Sequence, residues 1–281
     1  MAALRFFFRR GAGIASLLLG GLSCSQPLTG SSREYLTFTV VNVGQGNAAI
    51  AVTGDSALLF DTGPSEGFDS LMSQYTALGS PPLAAILLSH RDSDHAGALS
   101  RLPDSLRWSG RLIGSSGDSA VACSLCTRPV RWTSFTRSDT LRCTNELIVA
   151  CFWPQQEEHG TLSVNNSGLV LHVSFGTTTA LITGDIDTVV TRRLCELYGI
   201  DLASDLLLVP HHGSRYSADR LWYGFVNPTV AIISAGTGNE YGHPHVETLQ
   251  LLTRCSIPYR STITDGSMQW LSNGFYWTEQ F

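Results

Sequence analysis

Residues 84–99 read "AAILLSHRDSDHAGAL". An apolar run of strand length, 84–89, ends in a loop with two histidines and two aspartates. It then turns at once into "AGAL", which suits a helix. His90, Asp92, Asp94 and His95 therefore lie on one tight loop. Each neutral imidazole offers one nitrogen lone pair, and each carboxylate offers hard oxygens. Bare carboxylates so close repel one another, and a divalent cation removes that repulsion. The competing reading is a polar loop that caps the following helix, with Asp94 as the cap.

The same arrangement recurs along the chain. Apolar runs rich in Val, Ile, Thr and aromatics occur at 36–43, 48–52, 57–60, 84–89, 147–153, 168–175, 179–183, 206–210 and 229–234, each bounded by turn residues. Helix-like segments lie near 67–78, 95–102, 187–198, 217–226 and 245–255. Asp187 and Ser217 are candidate caps, and Pro244 is placed for a helix start. This mixture predicts an α/β (α+β) domain with helices outside its sheets. "SH" at 89–90, "GD" at 184–185, "HH" at 211–212 and "GH" at 242–243 each follow a strand end. Strand ends are where such folds gather their chemistry, so four strands can aim ligands at one place. Six of the eight histidines sit in the three stretches "HRDSDH" (90–95), "LLLVPHHGS" (206–214) and "YGHPH" (241–245). "VGQGNA" at 43–48 lacks the GK[ST] of a nucleotide loop and reads as a turn lying against that edge.

The 281 residues suffice for a sizeable core, and a hydrophobic content of 43% indicates a folded protein. All 18 basic residues are arginine. The N-terminus, "MAALRFFFRRGAGIASLLLGGLSCS", has a basic start, a short apolar run and small residues before Cys24. It reads as a secretory signal over 1–24; its end, "GGLSC", resembles a bacterial lipoprotein cleavage site with Cys24 as the lipidated residue, the alternatives being plain secretion or an uncleaved anchor. Residues 25–34 would form a polar tether, and 35–281 the functional domain. Without the signal, 15 basic residues face 23 acidic ones, so the general basic footprint of a duplex-binding protein is missing. Cys123, Cys126, Cys143 and Cys151 form a cluster. In an oxidising compartment, disulfides are the first reading and a structural zinc knuckle the second. Cys195 and Cys255 read as core residues.

The stretches "VVNVGQGNAAI", "ALLFDTG", "ILLSHRDSDHAGAL", "NNSGLVL", "ALITGD", "LLLVPHHGSRYS", "AIISAGTGNEYGHPH" and "TITDGSMQW" carry a resemblance. Together they resemble the metallo-β-lactamase superfamily, and more closely the metallohydrolase domain of ComEC competence proteins. The resemblance spans about residues 36–272 and implies a four-layer αββα sandwich with two divalent ions, zinc or manganese, at one edge. Site one would take His90 and Asp92. Site two would take Asp94, His95 and His211, with Asp185 bridging the two ions. Asp61 would hold the histidine loop in place. His212 would either replace His211 as ligand or face the substrate, and His243 would be a further ligand or a contact to phosphate or leaving group. Asp92 stands where the broad superfamily has a histidine, and "NNSG" (165–168) stands where its third site-one histidine falls. Both departures are shared with the ComEC-like branch and make site one oxygen-rich, which suits a hard ion such as Mn²⁺. His159 is a fallback ligand, and His172 reads as structural.

The function implied is an exported, metal-dependent phosphodiesterase or nuclease of the bacterial cell envelope. Asp94 and Asp185 would act through the metals, and a protonated His212 or His243 would assist the leaving oxygen. Ser214, Arg215, Asn165 and Asn166 would contact the substrate, a phosphodiester such as single-stranded DNA. Acylation of Cys24 would add a membrane anchor, and no protein partner is indicated. Two other readings stand beside it: hydrolysis of a lactone, lactam or thioester, and a non-catalytic envelope lipoprotein that binds metal or ligand.

Overall fold

The computed structural model describes residues 34–156 and 161–281. The signal, Cys24, nearly all of the tether and His159 lie outside the described residues. The strands are β1 (Leu36–Val40), β2 (Ala49–Thr53), β3 (Ser56–Phe60), β4 (Leu83–Leu87), β5 (Arg111–Gly114), β6 (Arg131–Ser134), β7 (Thr140–Arg142) and β8 (Leu147–Trp153). Beyond these come β9 (Val170–Phe175), β10 (Thr178–Ile182), β11 (Leu206–Leu208), β12 (Val230–Ile233), β13 (Tyr259–Ser261), β14 (Met268–Ser272) and β15 (Trp277–Gln280). All nine apolar runs are strands. The six others are short, and several are polar.

The strands form two sheets. One has the order β15-β14-β1-β2-β3-β4-β5-β6, the other β13-β12-β11-β10-β9-β8-β7. Alternation along each strand builds the layers. In β3, Leu58 and Phe60 join the core between the sheets, whereas Ala57 and Leu59 face outward. In β10, Ala180 and Ile182 point between the sheets and Leu181 points out. Strands buried on both faces read as continuous apolar runs, as seen here.

Helices cover both outer faces. On the first sheet lie α1 (Phe68–Ala77), α2 (Ser93–Ala96) and α3 (Ser119–Leu125), with Leu71, Tyr75, Ala96 and Ala122 packed on Ile50, Leu59 and Ile86. On the second lie α4 (Thr188–Tyr198), α5 (Arg220–Val226) and α6 (Val246–Arg254), which pack Val190, Leu194, Trp222 and Leu252 on Leu181, Leu207 and Ile233. One further turn, α7, spans Thr262–Asp265. The four-layer αββα expectation is met. No helix among the described residues is long and apolar enough to cross a membrane.

Local signals were partly redirected. Asp187 caps α4, accepting from the Val189 N–H. The cap of α5 is Asp219, not Ser217, whose hydroxyl instead donates to the Ile186 carbonyl at 2.8 Å. Helix α6 starts after His245, two residues beyond Pro244. The loop at Asp92–His95 does turn into a helix, but neither Asp92 nor Asp94 makes a side-chain cap bond there.

All six described cysteines are free thiols, so the expected disulfides are not formed. The first sheet separates Cys126 from the later pair, Cys143 and Cys151. Cys126 packs on the helix side of the first sheet, whereas Cys143 and Cys151 pack on the core between the sheets. That division also prevents the four from closing a zinc knuckle. Burial pushes the thiols of Cys126 and Cys143 up to about 11 and that of Cys151 to about 12. They are therefore inert, uncharged groups at neutral pH. Cys195 is buried in α4, and Cys255 is partly buried at the end of α6.

Candidate metal centre

β3 and β4 run parallel in one sheet, and β10, β11 and β12 run parallel in the other. Their C-terminal ends therefore meet at one edge of the sandwich. Asp61 follows β3, Ser89 and His90 follow β4, Asp185 follows β10, His211 and His212 follow β11, and Ser234 follows β12.

Four side chains converge there. Asp94, His95, Asp185 and His212 each bring a ligand atom within 4.8 Å of all the others. His95 Nε2 lies 3.1 Å from Asp185 Oδ1, and His212 Nε2 lies 3.3 Å from Asp94 Oδ2 and 3.4 Å from Asp185 Oδ2. A second group adjoins the first. His90 Nε2 is 3.5 Å from Asp92 Oδ2, and the His90 and His95 rings are 4.1 Å apart.

The opposite side of each ring is tied down. His95 Nδ1 donates to Asp61 Oδ2 at 2.8 Å, and His212 Nδ1 donates to the Ser234 carbonyl at 2.8 Å. Ser89 links the rest: its N–H and hydroxyl donate to Asp61 at 2.6 and 2.8 Å, and its Oγ lies 3.0 Å from His90 Nδ1. With Nδ1 as the donor, each ring turns its Nε2 lone pair into the site. Three of these nitrogens, on His90, His95 and His212, are buried with no hydrogen-bond partner, as is Asp185 Oδ1. Buried polar atoms are rarely left so. These unused lone pairs have the chemistry that a divalent ion requires.

The backbone that presents them is unusual. Asp61, His211 and His212 all have φ near +50°, a region that side chains other than glycine seldom adopt. Gly184, at φ +53°, is required: a Cβ there would lie 2.8 Å from Ser89 Cβ. The glycine-rich turn at 43–48 does lie against the site. A Cβ on Gly46 would overlap the Asp94 carbonyl, which accepts from the Asn47 N–H at 3.1 Å.

Electrostatics of the bare cluster follow from this crowding. Burial opposes protonation of His212, yet Asp185 and Asp94 beside it push it to about 9. His95 is likewise raised against burial by Asp185 and Asp61. Burial opposes ionisation of Asp185, but His212 and His95 hold it well below the usual range. Protons thus play the charge-balancing part that a cation would take over.

Other candidates sit differently from expectation. His212, rather than His211, enters the four-donor group. The two consecutive left-handed residues turn their rings apart, and His211 is 26% exposed with Nε2 3.7 Å from Asp185. His211 instead lines an open cleft beside the cluster with Ser214, Arg215, Tyr216, Tyr241, His243 and His245. Ser214 is only 1% exposed, and its Oγ accepts from the Tyr216 N–H, so it braces the cleft. Arg215 faces the cleft and pairs with Glu247 at 3.0 Å. Asn166 is buried and its carboxamide is joined to Asp187 at both ends, through Nδ2 at 2.9 Å and Oδ1 at 3.0 Å. It is a brace rather than a substrate contact. Asn165 is partly buried in the same short turn, which adjoins His90 through Gly168. His243 lies 5.5 and 6.0 Å, ring to ring, from His211 and His212. Burial and the neighbouring His212, His211 and His245 push it down to about 4. It enters the cleft as a neutral imidazole, so of the two histidines expected as the protonated acid it is His212, not His243, that holds its proton. His172 stacks on Phe152 in the second sheet, away from the cluster.

Two contributors escaped the sequence reading. Ser89 was visible only as part of a dipeptide, and its role depends on Asp61 approaching from another strand. Asp118, buried after β5, accepts from Arg91 at 3.3 Å and from Ser115 at 2.9 Å, bracing the ligand loop from outside. The small polar run "GSSGDS" after the apolar pair Leu112 and Ile113 was its one signal.

Comparison with known proteins agrees with this architecture. The chain is 31% identical over 277 residues to the competence protein ComA of Neisseria gonorrhoeae, covering 95% of this chain and 37% of that protein. It is 28% identical over 285 residues to ComE operon protein 3 of Bacillus subtilis, covering 90% and 36%. The chain thus spans little more than a third of these relatives. The metallo-beta-lactamase fold protein YhfI of Bacillus subtilis superposes with a TM-score of 0.56 at 14% identity, over 84% of this chain and 100% of that one. The family model of the metallo-beta-lactamase superfamily matches residues 41–236, the span from the first strand loop to the end of β12 that holds both donor groups, and the chain belongs to that superfamily.

Proposed function

We propose that the protein is a binuclear metal-dependent phosphodiesterase acting on nucleic acid. The observation that carries this reading is the convergence of buried, unpartnered Nε2 atoms on His90, His95 and His212 with Asp185 Oδ1. Asp94, His95, Asp185 and His212 would hold one ion; His90 and Asp92, sharing Asp185, would hold the second. The oxygen-rich second group suits Mn²⁺, and the first, with two imidazoles and two carboxylates, accepts Zn²⁺. When bound, such ions neutralise charge on phosphoryl oxygens and acidify water.

The chain's own residues do the rest. Asp61 and Ser89 fix His95 and His90, and the Ser234 carbonyl fixes His212. Arg215 offers a guanidinium to a phosphate entering the cleft; its exposed pairing with Glu247 is weak enough to be exchanged. His243, neutral in the free protein, gains a proton more readily once a phosphate anion lies beside it. The competence name of the gonococcal relative supports nucleic acid as the substrate.

Purified protein should contain divalent metal and hydrolyse bis-p-nitrophenyl phosphate and single-stranded DNA with Mn²⁺ or Zn²⁺. Asp94→Ala and Asp185→Ala should abolish both activities. Turnover of nitrocefin alone would reverse the assignment, and bound metal without any turnover would favour a binding protein. We further propose export to the cell envelope with a lipid on Cys24; fractionation of wild type and Cys24→Ser should show membrane release only in the variant.

A further inference from the structure

Beside the donor cluster, the cleft is flanked by two tyrosines that the fold does not need. Tyr216 is 69% exposed and Tyr241 57%. Single exposed aromatics are ordinary on a protein surface. Two that line one cleft together with Arg215, His211 and His243 are not explained by packing.

Both rings stand on fixed backbone. The Tyr216 N–H donates to Ser214 Oγ at 3.3 Å, the Arg215 N–H donates to His245 Nδ1 at 3.1 Å, and the Ser217 hydroxyl donates to Ile186 O at 2.8 Å. Tyr241 belongs to a loop closed by Asn239. Its side chain donates to the carbonyls of Gly236 at 2.8 Å and His243 at 2.6 Å, and accepts from the His243 N–H at 2.9 Å. The Tyr241 ring stacks beside His243 at 5.7 Å, with 24° between the planes. A tyrosine held in this way loses little freedom when a flat group stacks on it.

We propose that Tyr216 and Tyr241 form a stacking clamp for an unpaired nucleobase next to the scissile phosphate, making the enzyme selective for single strands. This rests on the phosphodiesterase reading above. A base in a duplex has its faces covered by its neighbours, whereas a single-stranded base offers a free face. Arg215, which lines the same cleft, takes the adjoining phosphate. The acidic balance of the chain fits a substrate gripped through bases more than through a long basic track.

The test uses metal-loaded full-length protein and two end-labelled oligomers, oligothymidylate and the same length with abasic sites. Cleavage and equilibrium binding are both measured. One stacked base is worth roughly 5- to 100-fold. Tyr241→Ala and Tyr216→Ala should therefore each lower kcat/KM on oligothymidylate by that factor, mainly through KM. The Tyr→Phe variants should match wild type, and the abasic oligomer should respond to none of the four. Both side chains are exposed, so melting temperature should not move. Equal losses on both oligomers, or cleavage of oligothymidylate unaffected by either alanine, would overturn the clamp while leaving the phosphodiesterase standing. Tyrosine-dependent binding without cleavage would support the clamp and overturn the phosphodiesterase. Absence of both binding and cleavage would overturn both.

Discussion

Stripping divalent ions from the protein should make it less stable as the pH rises from 6.5 to 9, and restoring them should reverse that slope. In the metal-free cluster His212 sits at about 9 because Asp185 and Asp94 outweigh its burial. In the unfolded chain a histidine sits near 6.5. A group raised by folding contributes stability that is complete below its unfolded value and lost as pH climbs through its folded value. A rise from 6.5 to about 9 corresponds to about 3 kcal/mol, most of it gone by pH 9. His95, also raised, acts in the same direction. Asp185 is the other half of the same interaction and is not counted again. On a chain of this size, 3 kcal/mol moves the melting temperature by roughly 6–12 °C. Bound metal instead requires these rings to be deprotonated, so its stabilisation grows with pH. Calorimetry from pH 6 to 9, in chelator and with saturating Mn²⁺ or Zn²⁺, reads both slopes, with Asp185→Asn as the comparison. Parallel metal-free curves for wild type and Asp185→Asn would refute the charge balance described here. Metal-loaded protein that weakens with pH as the stripped protein does would refute the ligand assignment.

Three further outcomes follow from the geometry. Gly184→Ala forces a Cβ to 2.8 Å from Ser89 at φ +53°; a destabilisation of about 1–3 kcal/mol in urea unfolding, with weakened metal binding, is expected. Asp61→Ala removes the acceptor that sets the His95 tautomer. Metal affinity measured by titration calorimetry should fall about 10- to 100-fold, and unchanged affinity would show that Asp61 does not orient the ring. Protein unfolded without reductant should show Cys123, Cys126, Cys143, Cys151, Cys195 and Cys255 all reactive to a thiol reagent, and any protected pair would contradict the six free thiols of this structure.

The sequence by itself determined the nine central strands, the five helical segments and the edge at which the chemistry gathers. Each apolar run bounded by turn residues has few alternatives to a buried strand, and polar residues at parallel strand ends must collect on one side. The strands β6 (RWTS), β7 (TLR) and β13 (YRS) carry no such pattern; pairing with neighbours imposes their conformation. The donors on the "HRDSDH" loop and Asp185 were legible as types and spacing. Which of His211 and His212 enters the cluster was not, because adjacent residues share a strand end and backbone angles alone turn one ring inward. Asn166 looked available for substrate until Asp187 approached it from another loop. Which of His212 and His243 holds a proton was not legible either: burial and neighbouring histidines push His243 down, whereas Asp185 and Asp94 push His212 up. Local pattern is written in consecutive residues, but tautomer, protonation and ligand choice depend on which groups meet across strands, and only the tertiary structure decides that.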